Sequence, residues 1–253
     1  MARAEAGTDR LADYHNLLAR HHLDRNALLK RTLSAANRQQ PALFSLAQLL
    51  ANPSLLAKQV LEDYPETEHP RLHRARVSVL HQSLALQIIG PLVIQLFRDG
   101  SSIELNPERI LLCREDSSVE GHSRWHHAAG SQERLEPDEF IRVLSNQMQH
   151  WYPVFRQHFG VSPGSYWSSV GLALGAPYSL VWNQVDADEL CRQASGWLTR
   201  FECEANRYID WIPTHFSQQR CAIPQRRGCC LKYLLPEGGY CGTCGVHRKE
   251  RMR

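Results

Sequence analysis

Residues 109–127 read RILLCREDSSVEGHSRWHH, and they decide the fold class. Two short runs, Arg109–Arg114 and His122–His127, flank the polar, turn-like stretch Asp116–Gly121. Paired runs of this kind around a turn predict an antiparallel hairpin. On both sides of it the apolar residues recur at helical spacing. The expected class is therefore α+β, with a mainly helical body around a central β-hairpin or small antiparallel sheet.

Upstream, Leu11, Tyr14, Leu17 and Leu18 make a short helical stripe, and Asp24 is placed to cap a second helix. Pro41 opens a third apolar stretch that is broken at Asn52-Pro53. Pro70 suits the first turn of a long helix through Phe97, with a kink expected at Gly90-Pro91. Downstream, Phe140, Leu144, Met148, Trp151, Phe155 and Phe159 share one helical face, and Pro153 is expected to kink or divide that element. Asp186 can cap a helix carrying Leu190, Ala194, Trp197 and Phe201. Neither an internal repeat nor a low-complexity linker interrupts this order.

A chain of 253 residues suits one large domain or two small ones. Its 43% hydrophobic and 22% charged content supports a core that needs neither disulfides nor metals. Two uncharged runs, Val77–Phe97 and Phe159–Val185, are long enough to cross a bilayer. They contain polar residues and Gly-Pro breaks, so both read as buried core, and no integral membrane segment is expected. The N-terminus shows no apolar run leading to a cleavage site, which points to a cytoplasmic, thiol-reducing setting.

Eight cysteines in such a setting point to metal or redox chemistry. Four of them lie in the last twenty-eight residues, RRGCCLKYLLPEGGYCGTCGVHRKERMR, as Cys229-Cys230 and Cys241-Gly242-Thr243-Cys244. The same residues, 226–253, hold seven Lys/Arg against two Glu, a net +5, leaving −2 for the rest of a chain whose total is +3. Three readings compete for the thiols. A disulfide between neighbours is strained, because adjacent Cα atoms lie about 3.8 Å apart and bridged pairs need about 4.4–6.8 Å. A four-cysteine zinc site suits the CxxC pair, but adjacent cysteines diverge and reach one small ion only through an unusual turn. A [2Fe–2S] group spreads four thiolates over two irons and accepts divergent neighbours, so the chemistry favours it.

The CCx10CxxC spacing, the preceding Arg226-Arg227 and the Leu235-Pro236-Glu237-Gly238-Gly239-Tyr240 run resemble the FhuF-like ferric siderophore reductases. That family carries a Trp-Ser-Asn stretch in mid-body. Tyr166-Trp167-Ser168-Ser169 is similar here but lacks the Asn. The resemblance implies that Cys229, Cys230, Cys241 and Cys244 ligate a [2Fe–2S] cluster. It further implies an oxidoreductase that transfers one electron from that cluster to siderophore-bound Fe(III), releasing Fe(II) in the cytoplasm.

The division expected is a siderophore-reductase body at 1–225 and a [2Fe–2S]-binding segment at 226–253. Partners would be a ferric siderophore and a separate electron donor, either a ferredoxin-like protein or reduced flavin, since no Gly-rich dinucleotide fingerprint follows a strand. No nucleic acid is expected, and association with the inner membrane face would be peripheral. Arg226, Arg227 and Lys232 are candidates for attracting an anionic chelate and for favouring a group that grows more negative on reduction. Tyr166 and Trp167 are candidates for lining the chelate pocket, whereas Arg251 and Arg253 read as part of a solvated tail. The alternative is a non-enzymatic four-cysteine zinc protein whose basic tail binds nucleic acid or protein.

The remaining cysteines, Cys113, Cys191, Cys203 and Cys221, lack metal-like spacing and read as structural thiols. His69 and His73 have ligand spacing on a helix, but an ordinary solvated face has it too. His126 and His127 alternate on a strand, which argues against a joint site. The six tryptophans read mostly as core.

Overall fold

A computed structural model describes residues 5–30, 42–114, 123–128, 133–236 and 238–247. The expected turn at Asp116–Gly121, the start at Pro41, Glu237 and the tail at Arg248–Arg253 lie outside these residues. Eleven helices and seven short strands are described: α1 (Glu5–Arg20), α2 (Arg25–Lys30), β1 (Ala42–Ser45), α3 (Leu46–Ala51), α4 (Ser54–Asp63), α5 (Pro70–Leu84), α6 (Gly90–Asp99), β2 (Ser102–Ile103), β3 (Ile110–Arg114), β4 (Ser123–His127), β5 (Arg134–Leu135), α7 (Pro137–Phe159), α8 (Pro163–Leu174), α9 (Ala176–Ser179), α10 (Ala187–Leu198), α11 (Ala205–Tyr208), β6 (Ile209–Phe216) and β7 (Gln219–Arg226). The class is α+β, mainly helical with small antiparallel sheets.

The hairpin read from residues 109–127 forms as β3 and β4, with Leu112 opposite Trp125 and Ile110 opposite His127. A third strand, β1, joins the other edge of β3 and runs directly into α3. Ser45 makes that switch possible: its Oγ accepts from the Gln48 N–H at 3.1 Å, and the Gln48 side chain accepts from the Ser45 N–H. Trp125 fixes the sheet to the helices by donating from Nε1 to the Leu80 carbonyl of α5 at 3.1 Å.

Helix starts follow the sequence signals. Asp24 accepts from Asn26 N–H, and Asp186 accepts from Glu189 N–H at 2.8 Å. The stripe on α7 is buried from Phe140 to Phe159, and the helix continues through Pro153 instead of dividing there. An interior proline costs about 3 kcal/mol, which burial of six large apolar side chains on one face more than offsets. The irregularity expected at Gly90-Pro91 takes the form of a π turn at Ala85–Ile89 between α5 and α6. A widened turn relieves the clash of a proline ring with the carbonyl four residues earlier.

The α5–α6 rod, Pro70–Asp99, is long and apolar enough to cross a membrane, but 67% of its most apolar stretch is buried in the protein. It packs against α8, whose residues are buried from Ser165 through Leu174. A helix that is apolar all round belongs inside a fold, and α8 is the axis of this core. Neighbouring elements are tied to it, with Trp197 Nε1 donating to the Leu174 carbonyl at 2.8 Å. Five of the six tryptophans are buried as expected, and Trp182 is half-buried.

His81 of α5 lies in this core, stacked on Tyr166 with ring centroids 4.1 Å apart and edge-on to Phe155. Burial, reinforced by the nearby charge of Arg226, lowers its pKa to about 3. An unfolded His81 titrates near 6.5. As pH falls through that value, the unfolded chain takes up a proton that the folded chain refuses until about pH 3. This contribution is neutral above pH 7.5 and destabilising below 6.5, by at most about 1.4 kcal/mol per pH unit. His81→Phe keeps the ring packing and removes the titration. Between pH 7.5 and 5.5 the variant should lose about 1 kcal/mol less stability than wild type in urea unfolding; equal losses would contradict the assignment.

Candidate metal centre

The antiparallel hairpin β6–β7 delivers the chain to the cysteine segment. Its tight turn is made by Ser217 and Gln218, both at positive φ (48° and 67°), as a type I′ hairpin requires. β7 ends at Arg226, so the division expected at 225/226 falls on the last residue of this strand. Arg227 N–H then donates to the Tyr208 carbonyl at 2.9 Å, and Arg226 N–H donates to the Thr243 carbonyl at 3.0 Å. The second bond ties the loop of Cys241–Cys244 to the end of β7.

Two glycines let the segment sit against the body. A Cβ on Gly228 would lie 2.0 Å from the carbonyl oxygen of Gly164 at the start of α8, and one on Gly245 would lie 2.1 Å from the Arg226 carbonyl oxygen. Both are backbone-to-backbone approaches that only glycine permits. Between the cysteine pairs, a 3-10 turn at Lys232–Leu234 packs on α5, and Leu235 is buried. Tyr233 stacks on Tyr240, and Tyr240 on His247, with ring centroids 5.4 and 4.8 Å apart. These rings join the two arms that carry the thiols.

Adjacent cysteines need an unusual turn, and Leu231 supplies it in the left-handed region at φ 64°. Its N–H donates to the Cys229 sulfur at 3.3 Å. The Cys230 thiol is within hydrogen-bond reach of both Cys229 and Cys241, while Cys244 lies within electrostatic range of Cys229. Cys230 and Cys244 are buried; Cys229 and Cys241 are half-exposed. The Cys230 hydrogen bond holds the Cys229 thiol below its ordinary range, with the Leu231 N–H and the Arg226 charge acting the same way against burial and Cys244. Cys241 is pushed the other way by its bond to Cys230 and by burial. Among the described residues, no three His, Cys, Asp or Glu side chains already stand as a single-ion site. The fit to a [2Fe–2S] group rests on four soft thiol donors from two grouped pairs, and on a buried guanidinium beside them.

That guanidinium belongs to Arg226, which is 1% exposed. Its Nε donates to Ser168 Oγ at 2.9 Å, and its Nη2 donates to Ser169 Oγ at 2.9 Å and to the Ser165 carbonyl at 3.3 Å. Nη1 has no hydrogen-bond partner among the described residues. Ser165 Oγ is in turn hydrogen-bonded to Ser78 Oγ of α5. Residues 165, 168 and 169 share one helix face by their spacing. Three serines on a helix that is otherwise apolar were the available signal, since buried hydroxyls require partners.

Several expected substrate contacts are corrected by these positions. Arg226 faces the core instead of solvent. Tyr166 is fully buried, with its hydroxyl donating to the Met148 carbonyl at 2.7 Å, and Trp167 is 3% exposed, so neither ring lines a chelate pocket. Arg227 is exposed, but both its Nε and Nη2 are engaged by Asp210, at 2.6 and 2.7 Å, which offsets its charge. Lys232 is exposed and forms no ion pair among the described residues.

Cys113, Cys191 and Cys221 are buried, and burial pushes the thiols of Cys191 and Cys203 up to about 11. This suits unreactive structural thiols. His69 caps α5, its Nδ1 accepting from Arg71 N–H.

No curated protein matches the chain. The family model of the FhuF 2Fe-2S C-terminal domain matches residues 226–244, from the clamped arginine to the fourth cysteine of the motif. The C-terminal segment thus matches the FhuF-like family and its cysteine motif, and the matched domain indicates a [2Fe–2S] cluster.

Proposed function

We propose that the chain is a ferric siderophore reductase, an oxidoreductase acting on iron held in a chelate, with Cys229, Cys230, Cys241 and Cys244 as the ligands of its cluster. The observation that carries this reading is the grouping of four motif thiols, two of them half-exposed, in the segment that matches the FhuF 2Fe-2S domain. When bound, the [2Fe–2S] group supplies one-electron chemistry at a potential set by charge, hydrogen bonds and exposure.

The chain's own residues do the rest. The buried Cys230 and Cys244 and the partly exposed Cys229 and Cys241 would together hold the group. The exposed ammonium of Lys232 lies on that segment and attracts an anionic ferric chelate to it. The body, 1–225, seats the described part of the segment through α5 and α8. Ferric iron is held tightly by hard oxygen donors and ferrous iron far less so, so a gained electron turns a tight chelate into a releasable one. Electrons come from a separate donor, a ferredoxin-like protein or reduced flavin. The setting is cytoplasmic, at most peripheral to the membrane.

Anaerobic single-turnover mixing tests this function. Reduced protein mixed with ferric hydroxamate or catecholate chelates should reoxidise at a rate that rises with chelate concentration. A ferrous-specific chromogenic chelator should trap iron in equal amount. Reoxidation that ignores the chelate, or yields no ferrous iron, would contradict it.

A further inference from the structure

Arg226 is a buried cation with no carboxylate partner among the described residues. Burying a guanidinium is costly unless an opposite charge accompanies it. The serine hydroxyls and the Ser165 carbonyl engage Nε and Nη2 but carry no net charge, and Nη1 has no partner among the described residues. Its backbone binds the Cys241–Cys244 loop through Thr243, and its charge reaches the thiols of Cys229 and Cys241. Arg227, one residue on, is solvent-exposed and already paired with Asp210.

We infer that Arg226, clamped by Ser165, Ser168 and Ser169 of α8, is the built-in counter-charge of the [2Fe–2S] cluster and the positioning residue that raises its potential. The inference rests on the cofactor reading above. Four thiolates, two sulfides and two ferric ions carry a net charge of about −2, becoming about −3 on reduction. A fixed positive charge in a poorly solvated site stabilises the more negative state, so it favours the reduced form. The clamp holds that charge in place, leaving little reorganisation when the electron arrives. The paired serines in Tyr166-Trp167-Ser168-Ser169 thereby acquire a role: they aim an arginine and do not touch substrate.

The test uses full-length protein, wild type beside Arg226→Gln, Arg226→Lys and Arg227→Gln. Iron, sulfide, midpoint potential and thermal melting of the cluster-free forms are measured for each. Arg226→Gln should shift the one-electron equilibrium toward the oxidised form at least tenfold, a fall of about 59 mV or more. Arg226→Lys and Arg227→Gln should stay within threefold of wild type. If Arg226→Gln fails to hold a cluster while Arg226→Lys holds one, and their cluster-free forms melt alike, the requirement for charge is likewise met. A loaded Arg226→Gln within threefold of wild type would overturn the inference, as would cluster-free Arg226→Gln and Arg226→Lys that both fail to fold. Wild type purified without iron and sulfide would instead remove the cofactor reading, and this inference with it.

Discussion

Cys230→Ser should leave the protein folded and colourless. Cys230 is the middle member of the thiol chain, buried and within reach of both Cys229 and Cys241. A serine hydroxyl is a harder and far less acidic donor than a thiol, so it fails as a soft ligand. Iron and sulfide content should fall at least tenfold, about 1.4 kcal/mol or more of lost binding. Far-UV circular dichroism should change little, because the core around α8 is built without the segment's thiols. Cys113→Ser makes the same chemical change inside β3 and should keep its colour. Full colour and turnover in Cys230→Ser would remove that residue from the ligand set.

Gly228→Ala should undock the segment while leaving all four cysteines in place. The added methyl would stand 2.0 Å from the Gly164 carbonyl oxygen, a backbone atom that no side-chain rotation moves away. Overpacking of this kind costs about 1–3 kcal/mol, and more where the backbone cannot yield. Cluster retention should drop several-fold, and limited proteolysis should cut the chain after β7. Gly242→Ala is the matched control, since a Cβ there meets nothing within 4 Å. If Gly228→Ala matches wild type in iron content and melting, the docking described for α8 is wrong.

The sequence carried the helices well because their signals are local. Asp24 and Asp186 cap where their side chains reach the next turn, and the stripe of α7 survives Pro153 because burial outweighs one lost hydrogen bond. The β6–β7 hairpin was hidden for an equally local reason. Pro213 and Pro224 lie within its strands, and its turn is Ser217-Gln218 in place of an Asn-Gly pair. A two-stranded ribbon is all edge, so it tolerates prolines that a central strand would not.

The four cysteines were legible from spacing. Their seat was not, because it depends on Gly164 meeting Gly228 and on Arg226 meeting Ser168 and Ser169 across more than fifty residues of chain. Tyr166-Trp167-Ser168-Ser169 stands out in the sequence, but its burial is visible only in the fold. Its aromatic rings pack the core, and its hydroxyls hold the arginine.

A two-iron cluster held by Cys229, Cys230, Cys241 and Cys244 makes a direct demand on the composition of the purified protein. Protein purified anaerobically should be red-brown, with about two iron and two acid-labile sulfide per chain, and should bleach on reduction. Colourless protein holding one zinc per chain, and no sulfide, would contradict it.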